Sequence, residues 1–114
     1  MKKVTIITGE HASGKTTLAK KLCENKKAVW LSSLDIEKVR EVEFDTEIIV
    51  IDGLAIEDME KLKMLITTET FIATPKFKKE FFMERPEVIV TTNCFTKEDF
   101  IQRQHIEFIE MIRK

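Results

Sequence analysis

Chain breakers are scarce: three Gly and two Pro in 114 residues. That argues for regular structure joined by short connections and against a loop-rich or low-complexity chain. Long apolar runs are missing too. None approaches the ~20 residues that a membrane-spanning helix needs, so no membrane partner is expected. The first apolar run, ending at Thr8, is only about four residues long, too short for the apolar region of a signal peptide. It leads straight into Gly9 and reads as a core strand. A dominant charge is also absent, with 19 Lys and Arg against 20 Asp and Glu and a net charge of -1. There is no global pull toward nucleic acid or an anionic membrane, so any basic site has to be local. Cys23 and Cys94 lie far apart without metal-ligand spacing. They read as reduced, partly buried thiols of a cytoplasmic protein. The length fits a single domain over residues 1–114.

Short β-branched runs alternate with helical spacings. Val4–Thr8, Ala28–Ser32, Glu47–Ile51 and Glu87–Thr92 read as strands. Lys15–Asn25 reads as a helix with Leu18 and Leu22 on one face and Asn25 as its stop. A weaker helical turn is expected over Asp35 to Val42. Over Ile56–Thr67, Met59, Leu62, Leu65 and Ile66 recur at helical spacing. Phe71–Phe82 alternates around Pro75 and Lys76, which suggests a hairpin or projecting loop. Lys97–Gln104 reads as a helix, and Ile106–Ile112 fits either a last strand or a continued helix. Nearly continuous apolar strands at Ile48–Ile51 and Val88–Val90 imply a parallel sheet covered on both faces, a three-layer α/β fold. Most of the eight phenylalanines are expected in the core, and Trp30 in the core or near a base.

Gly9-Glu10-His11-Ala12-Ser13-Gly14-Lys15-Thr16 satisfies the pattern of a phosphate-binding loop, or P-loop (Walker A). Each element has a reason. The glycines let successive backbone N–H groups curl inward toward phosphate oxygens, at the positive end of the following helix. Lys15 supplies a point charge to the β and γ phosphates, and the Thr16 hydroxyl joins a magnesium shell. Thr17 is placed to reach the α-phosphate, and His11 fills a variable position as a spacer. The expected ligands are a nucleoside triphosphate, ATP above all, and Mg2+. Asp52 closes the strand Glu-Ile-Ile-Val-Ile and is the acid expected to hold the magnesium through water. Many P-loop ATPases carry a second acid next, as base for the attacking water. Gly53 stands there instead, so rapid hydrolysis does not follow from the motif.

From Arg85-Pro86-Glu87-Val88-Ile89-Val90-Thr91-Thr92-Asn93 onward the chain resembles superfamily 3 helicases, the replicative helicases of small DNA viruses and some mobile elements. Their third motif is a proline, an apolar strand and Thr-Thr-Asn or Thr-Ser-Asn. The resemblance implies that Asn93 orients the attacking water or senses the γ-phosphate. It places a basic hairpin tip that tracks single-stranded DNA at Lys76, Phe77 and Lys78, with Phe77 where the family has histidine. It also makes Arg103 an arginine finger that reaches the nucleotide of a neighbouring subunit, and so implies a homo-oligomeric ring or a larger replication partner. The wider kinship is with the additional-strand P-loop ATPases, including the AAA+ group. It implies a five-stranded, mainly parallel sheet in the order 5-1-4-3-2, with a β-hairpin inserted before strand 4. The strand that carries Asn93 would lie between those of Gly9 and Asp52.

Two other functions fit the same motifs: a P-loop small-molecule kinase, and a nucleotide-binding switch or interaction module with little turnover. Kinases of that class carry an arginine-bearing lid, and between Asp52 and Asn93 this chain has Arg85 alone.

Overall fold

The structure, a computed structural model, describes residues 2–10, 13–68, 70–94 and 105–111. The first strand, β1 (Val4–Gly9), runs into the glycine loop and then helix α1 (Lys15–Leu22). Strand β2 (Ala28–Ser32) leads into a 3-10 helix over Ser33–Arg40. Strand β3 (Ile48–Asp52) is followed by a 3-10 turn, Ile56–Asp58, and helix α2 (Met59–Thr67). Two short strands, β4 (Phe71–Ala73) and β5 (Phe81–Met83), precede β6 (Glu87–Thr92) and β7 (Ile106–Met111).

Five strands form one parallel sheet in the order β2-β3-β6-β1-β7, and β4 and β5 pair antiparallel in a separate hairpin. Numbered across all seven strands, that row is not 5-1-4-3-2. With the main-sheet strands counted alone it reads 2-3-4-1-5, the expected order seen from the other edge. β6 lies between β1 and β3.

The strands alternate their side chains between two apolar layers, as period-two geometry requires. On one face Val4, Ile6, Ile49, Ile51, Val88 and Val90 meet Ile36 and Val39 of the 3-10 helix, and Met59, Leu62, Leu65 and Ile66 of α2. All four α2 residues picked out by helical spacing are buried. On the other face Ile7, Ile48, Val50 and Ile89 meet Ala19 and Cys23. The sheet is therefore covered on both sides.

Several expectations need correction. The face of α1 that meets the sheet is Ala19 followed by Cys23, four residues on. Leu18 packs at its flank and Leu22 is partly exposed. Residues at i and i+4 share a face, and the small Ala19 lets the helix approach closely. Of the phenylalanines at 44, 71, 77, 81, 82 and 108, Phe71 alone is buried. Trp30 is partly exposed, because β2 is an edge strand. Residues 106–111 form a strand and not a continued helix. The helix expected at 97–104 lies outside the described residues.

Candidate functional site

Parallel register brings the carboxyl ends of the strands level, the edge at which open α/β sheets bind ligands. Ser32 pairs with Asp52, Asp52 with Thr91, Thr8 with Thr92 and Gly9 with Met111. Residues 36 to 39 positions apart in sequence thereby meet at one cleft of about 510 Å3. Its lining comes from the glycine loop and α1 (Ser13 to Thr17), from Asp52 and Gly53, and from Thr91 to Asn93.

The loop owes its shape to two glycines with positive φ, Gly9 at 148° and Gly14 at 93°. At Gly9 the space is as restrictive as the dihedral: a Cβ would stand 2.4 Å from the Met111 carbonyl oxygen. Gly14 is the N-cap of α1 and supplies no side-chain cap, and the first turn holds no acid. The first-turn N–H groups therefore remain available to an anion. Lys15 Nζ donates to the carbonyls of Gly9 (3.1 Å) and Glu10 (2.6 Å) and to Ser13 Oγ (3.3 Å). The ammonium is folded back over the loop that it would release on meeting phosphate.

Across the cleft, the Thr16 hydroxyl donates to Asp52 Oδ1 at 3.0 Å. Thr91 Oγ1 accepts from the Gly53 N–H (2.8 Å) and donates to the same Oδ1 (2.6 Å). Among the described residues, Oδ2 of Asp52 receives no hydrogen bond. This hydroxyl and carboxylate are hard oxygen donors that suit Mg2+, which takes one or two protein oxygens and completes its shell with phosphate and water. No group of three or more His, Cys, Asp or Glu able to cage a metal occurs among the described residues. Asn93 is exposed at the cleft, and its Oδ1 accepts from the Cys94 thiol at 3.3 Å.

Solved structures share this architecture. The apo C-terminal region of NrS-1 aligns with a TM-score of 0.61 at 20% identity, covering 96% of this chain and 29% of that one. JCV helicase, solved with a thiazolopyridine acetamide bound, aligns with a TM-score of 0.65 at 20% identity, covering 99% and 36%. The chain shares the α/β fold of these structures. It spans only about a third of the length of these two solved chains, 29% and 36%. No protein-family model and no curated protein sequence matches it.

Within this fold the remaining residues of interest are spread out. The hairpin holds Lys76, Phe77 and Lys78 at its exposed turn, with Phe77 at φ 62° and fully exposed. Lys78 Nζ is committed to Glu43 at 2.8 Å, and the hairpin is tied down by Thr74 N–H donating to the Arg40 carbonyl. Asp45, two residues past Glu43, pairs with Lys27 just ahead of β2. The hairpin turn therefore faces the amino-terminal side of the sheet, away from the glycine loop. Arg85 is buried and donates to the carbonyls of Pro86 (2.7 Å) and Lys2 (3.0 Å). Burial holds its guanidinium below the ordinary value, opposed by the nearby Glu84. It does not line the cleft. His11, Ala12 and Arg103 lie outside the described residues.

Two residues are given no role by the motif: Thr91, opposite Asp52 at the cleft, and Met111, opposite Gly9 beside the glycine loop. Their signal is register: a strand placed beside that of Asp52 sets a hydroxyl directly opposite the acid. No helix among the described residues is long and apolar enough to cross a membrane.

Proposed function

We propose that residues 1–114 form one nucleotide-binding domain that binds ATP with Mg2+, hydrolyses it, and acts on nucleic acid as the core of a superfamily 3 helicase does. The observation that carries this reading is the 3.0 Å contact of Thr16 with Asp52, which joins the glycine loop to the acidic strand end 36 residues away. The first-turn N–H groups of α1 and Lys15 hold the phosphates. Thr16 would offer its hydroxyl lone pairs to the metal while its O–H still donates to Asp52 Oδ1, and Asp52 would accept through Oδ2 from a water of that metal's shell. Asn93 orients the attacking water at the end of β6. Magnesium held there would supply positive charge to offset the charge that develops on the phosphates. In Asp52→Asn, Mg2+-dependent hydrolysis should fall by about 100-fold while metal-free nucleotide binding stays near wild type, the pattern of lost transition-state charge stabilisation. Unchanged hydrolysis in that variant would sink the reading.

A low-turnover switch is the second reading that an observation favours. Asp52 is the only acid lining the cleft among the described residues, and Gly53 carries no side chain beside it. Efficient hydrolysis then needs an assembled site, a homo-oligomeric ring or a larger replication complex in which Arg103 of one copy reaches the nucleotide of the next. Mass measurements with Mg2+ and ATP should show assembly, and a monomer at every concentration removes the ring. The kinase reading is weakened, because Arg85 is taken up by backbone carbonyls. The setting we assign is cytoplasmic.

For nucleic acid, Phe77 offers an exposed stacking surface and Lys76 a charge with no partner among the described residues. Single-stranded DNA is the proposed ligand. Phe77→Ala should weaken it by roughly tenfold, within the ~1–3 kcal/mol that a stacked base is worth. Lys78→Ala should cost less, since Lys78 is already paired with Glu43. Anisotropy of a labelled oligonucleotide checks both, and equal binding by wild type and Phe77→Ala removes the hairpin from the interface.

A further inference from the structure

The hydrogen-bond pattern around Asp52 has a fixed direction. Thr91 Oγ1 accepts from the Gly53 N–H, so its single proton points at Asp52 Oδ1. Thr91 is itself buried and cannot rotate toward solvent. Its own carbonyl accepts from the N–H groups of Gly53 (3.1 Å) and Leu54 (2.8 Å), which locks the ends of β3 and β6 together. Thr92 extends the lock by donating to the Leu54 carbonyl at 3.0 Å. The carboxylate of Asp52 is thus held by one oxygen at a strand end, and the other oxygen accepts no hydrogen bond among the described residues.

We propose that Thr91 is the positioning residue for Asp52: its hydroxyl decides which carboxylate oxygen meets the magnesium carried by the nucleotide. This rests on the nucleotide-site reading above. Thr91 touches neither metal nor phosphate. It acts by removing the rotational freedom of Asp52, since an outer oxygen ligand held in place loses less entropy when the metal arrives. The role is separable from packing. Thr91→Val keeps the β-branched shape and leaves the Gly53 N–H bonded to the residue 91 carbonyl, so no buried donor is orphaned.

The test is a Mg2+ titration of nucleotide binding, read by fluorescence of a labelled ATP held at a fixed concentration. In Thr91→Val the Mg2+ needed for half-maximal binding should rise about tenfold, in line with other supporting-shell losses. Binding of the nucleotide without metal should stay unchanged, and Thr91→Ser should restore the wild-type midpoint. If Thr91→Val does not fold, Thr91→Ala must show the same shift with the same metal-free affinity. A wild-type midpoint in the variant, or an equal loss with and without metal, overturns the role of Thr91 alone. A wild-type chain that binds no nucleotide at any Mg2+ concentration overturns the site reading, and this one with it.

Discussion

Lys15→Ala is expected to lower the affinity for ATP with Mg2+ by about 100-fold or more, while thermal stability moves little. Charge-assisted hydrogen bonds are worth about 1.5–3 kcal/mol each, and an ammonium between two phosphates makes more than one. In the present structure the same ammonium spans Gly9, Glu10 and Ser13. These contacts are partly exposed, so the lysine contributes little to folding beyond shaping its own loop. The variant therefore separates binding from stability. Calorimetric titration with ATP, alongside a melting curve, checks it. A variant that keeps wild-type affinity would place the phosphates elsewhere.

Gly9→Ala is expected to damage the fold itself. The added methyl would lie 2.4 Å from the Met111 carbonyl and 3.1 Å from Ser13 Oγ. One neighbour is main chain of an edge strand paired to β1, and it cannot yield without breaking that pairing. The backbone at φ 148° is also unfavourable for any residue with a Cβ. Overpacking costs about 1–3 kcal/mol, and strained backbone about as much again. The sum, roughly 2–6 kcal/mol, is a large part of the ~5–15 kcal/mol that holds an ordinary domain together. The variant should melt about 8 °C lower or more, at about 4–8 °C per kcal/mol for a domain of nearly this size. Gly53→Ala is the internal control: no atom lies within 4 Å of its would-be Cβ, and only its φ of 79° resists. If Gly9→Ala melts no lower than Gly53→Ala, β7 is not seated against the loop as described.

The sheet was legible in the sequence because its strands are buried on both faces. Ile48–Ile51 and Val88–Val90 leave little else for a chain with so few breakers to do. The glycine loop was legible because its pattern fixes Gly9, Gly14, Lys15 and Thr16 at set spacing and leaves only the residues between the glycines open. Packing roles were harder to read. Leu22 and Ala19 are both good helix formers, and only the sheet's approach decides that Ala19 faces inward. The phenylalanines misled for a related reason: the hairpin and the turn at Phe44 carry aromatics on exposed positions, where hydrophobicity alone would bury them. Thr91 was overlooked because its role depends on a neighbour that only register supplies. A threonine late in a strand has no periodic signature, whereas Asp52 directly across the ladder gives it one. Met111 was hidden in the same way, through its pairing with Gly9.

Equilibrium binding of ATP to the wild-type chain, titrated with and without Mg2+, tests the nucleotide site most directly. Saturable binding of one ATP per chain, tightened by Mg2+ and lost in Lys15→Ala, is the predicted result. No saturable binding, or binding indifferent to both Mg2+ and Lys15, would contradict a nucleotide site built from the glycine loop, Thr16 and Asp52.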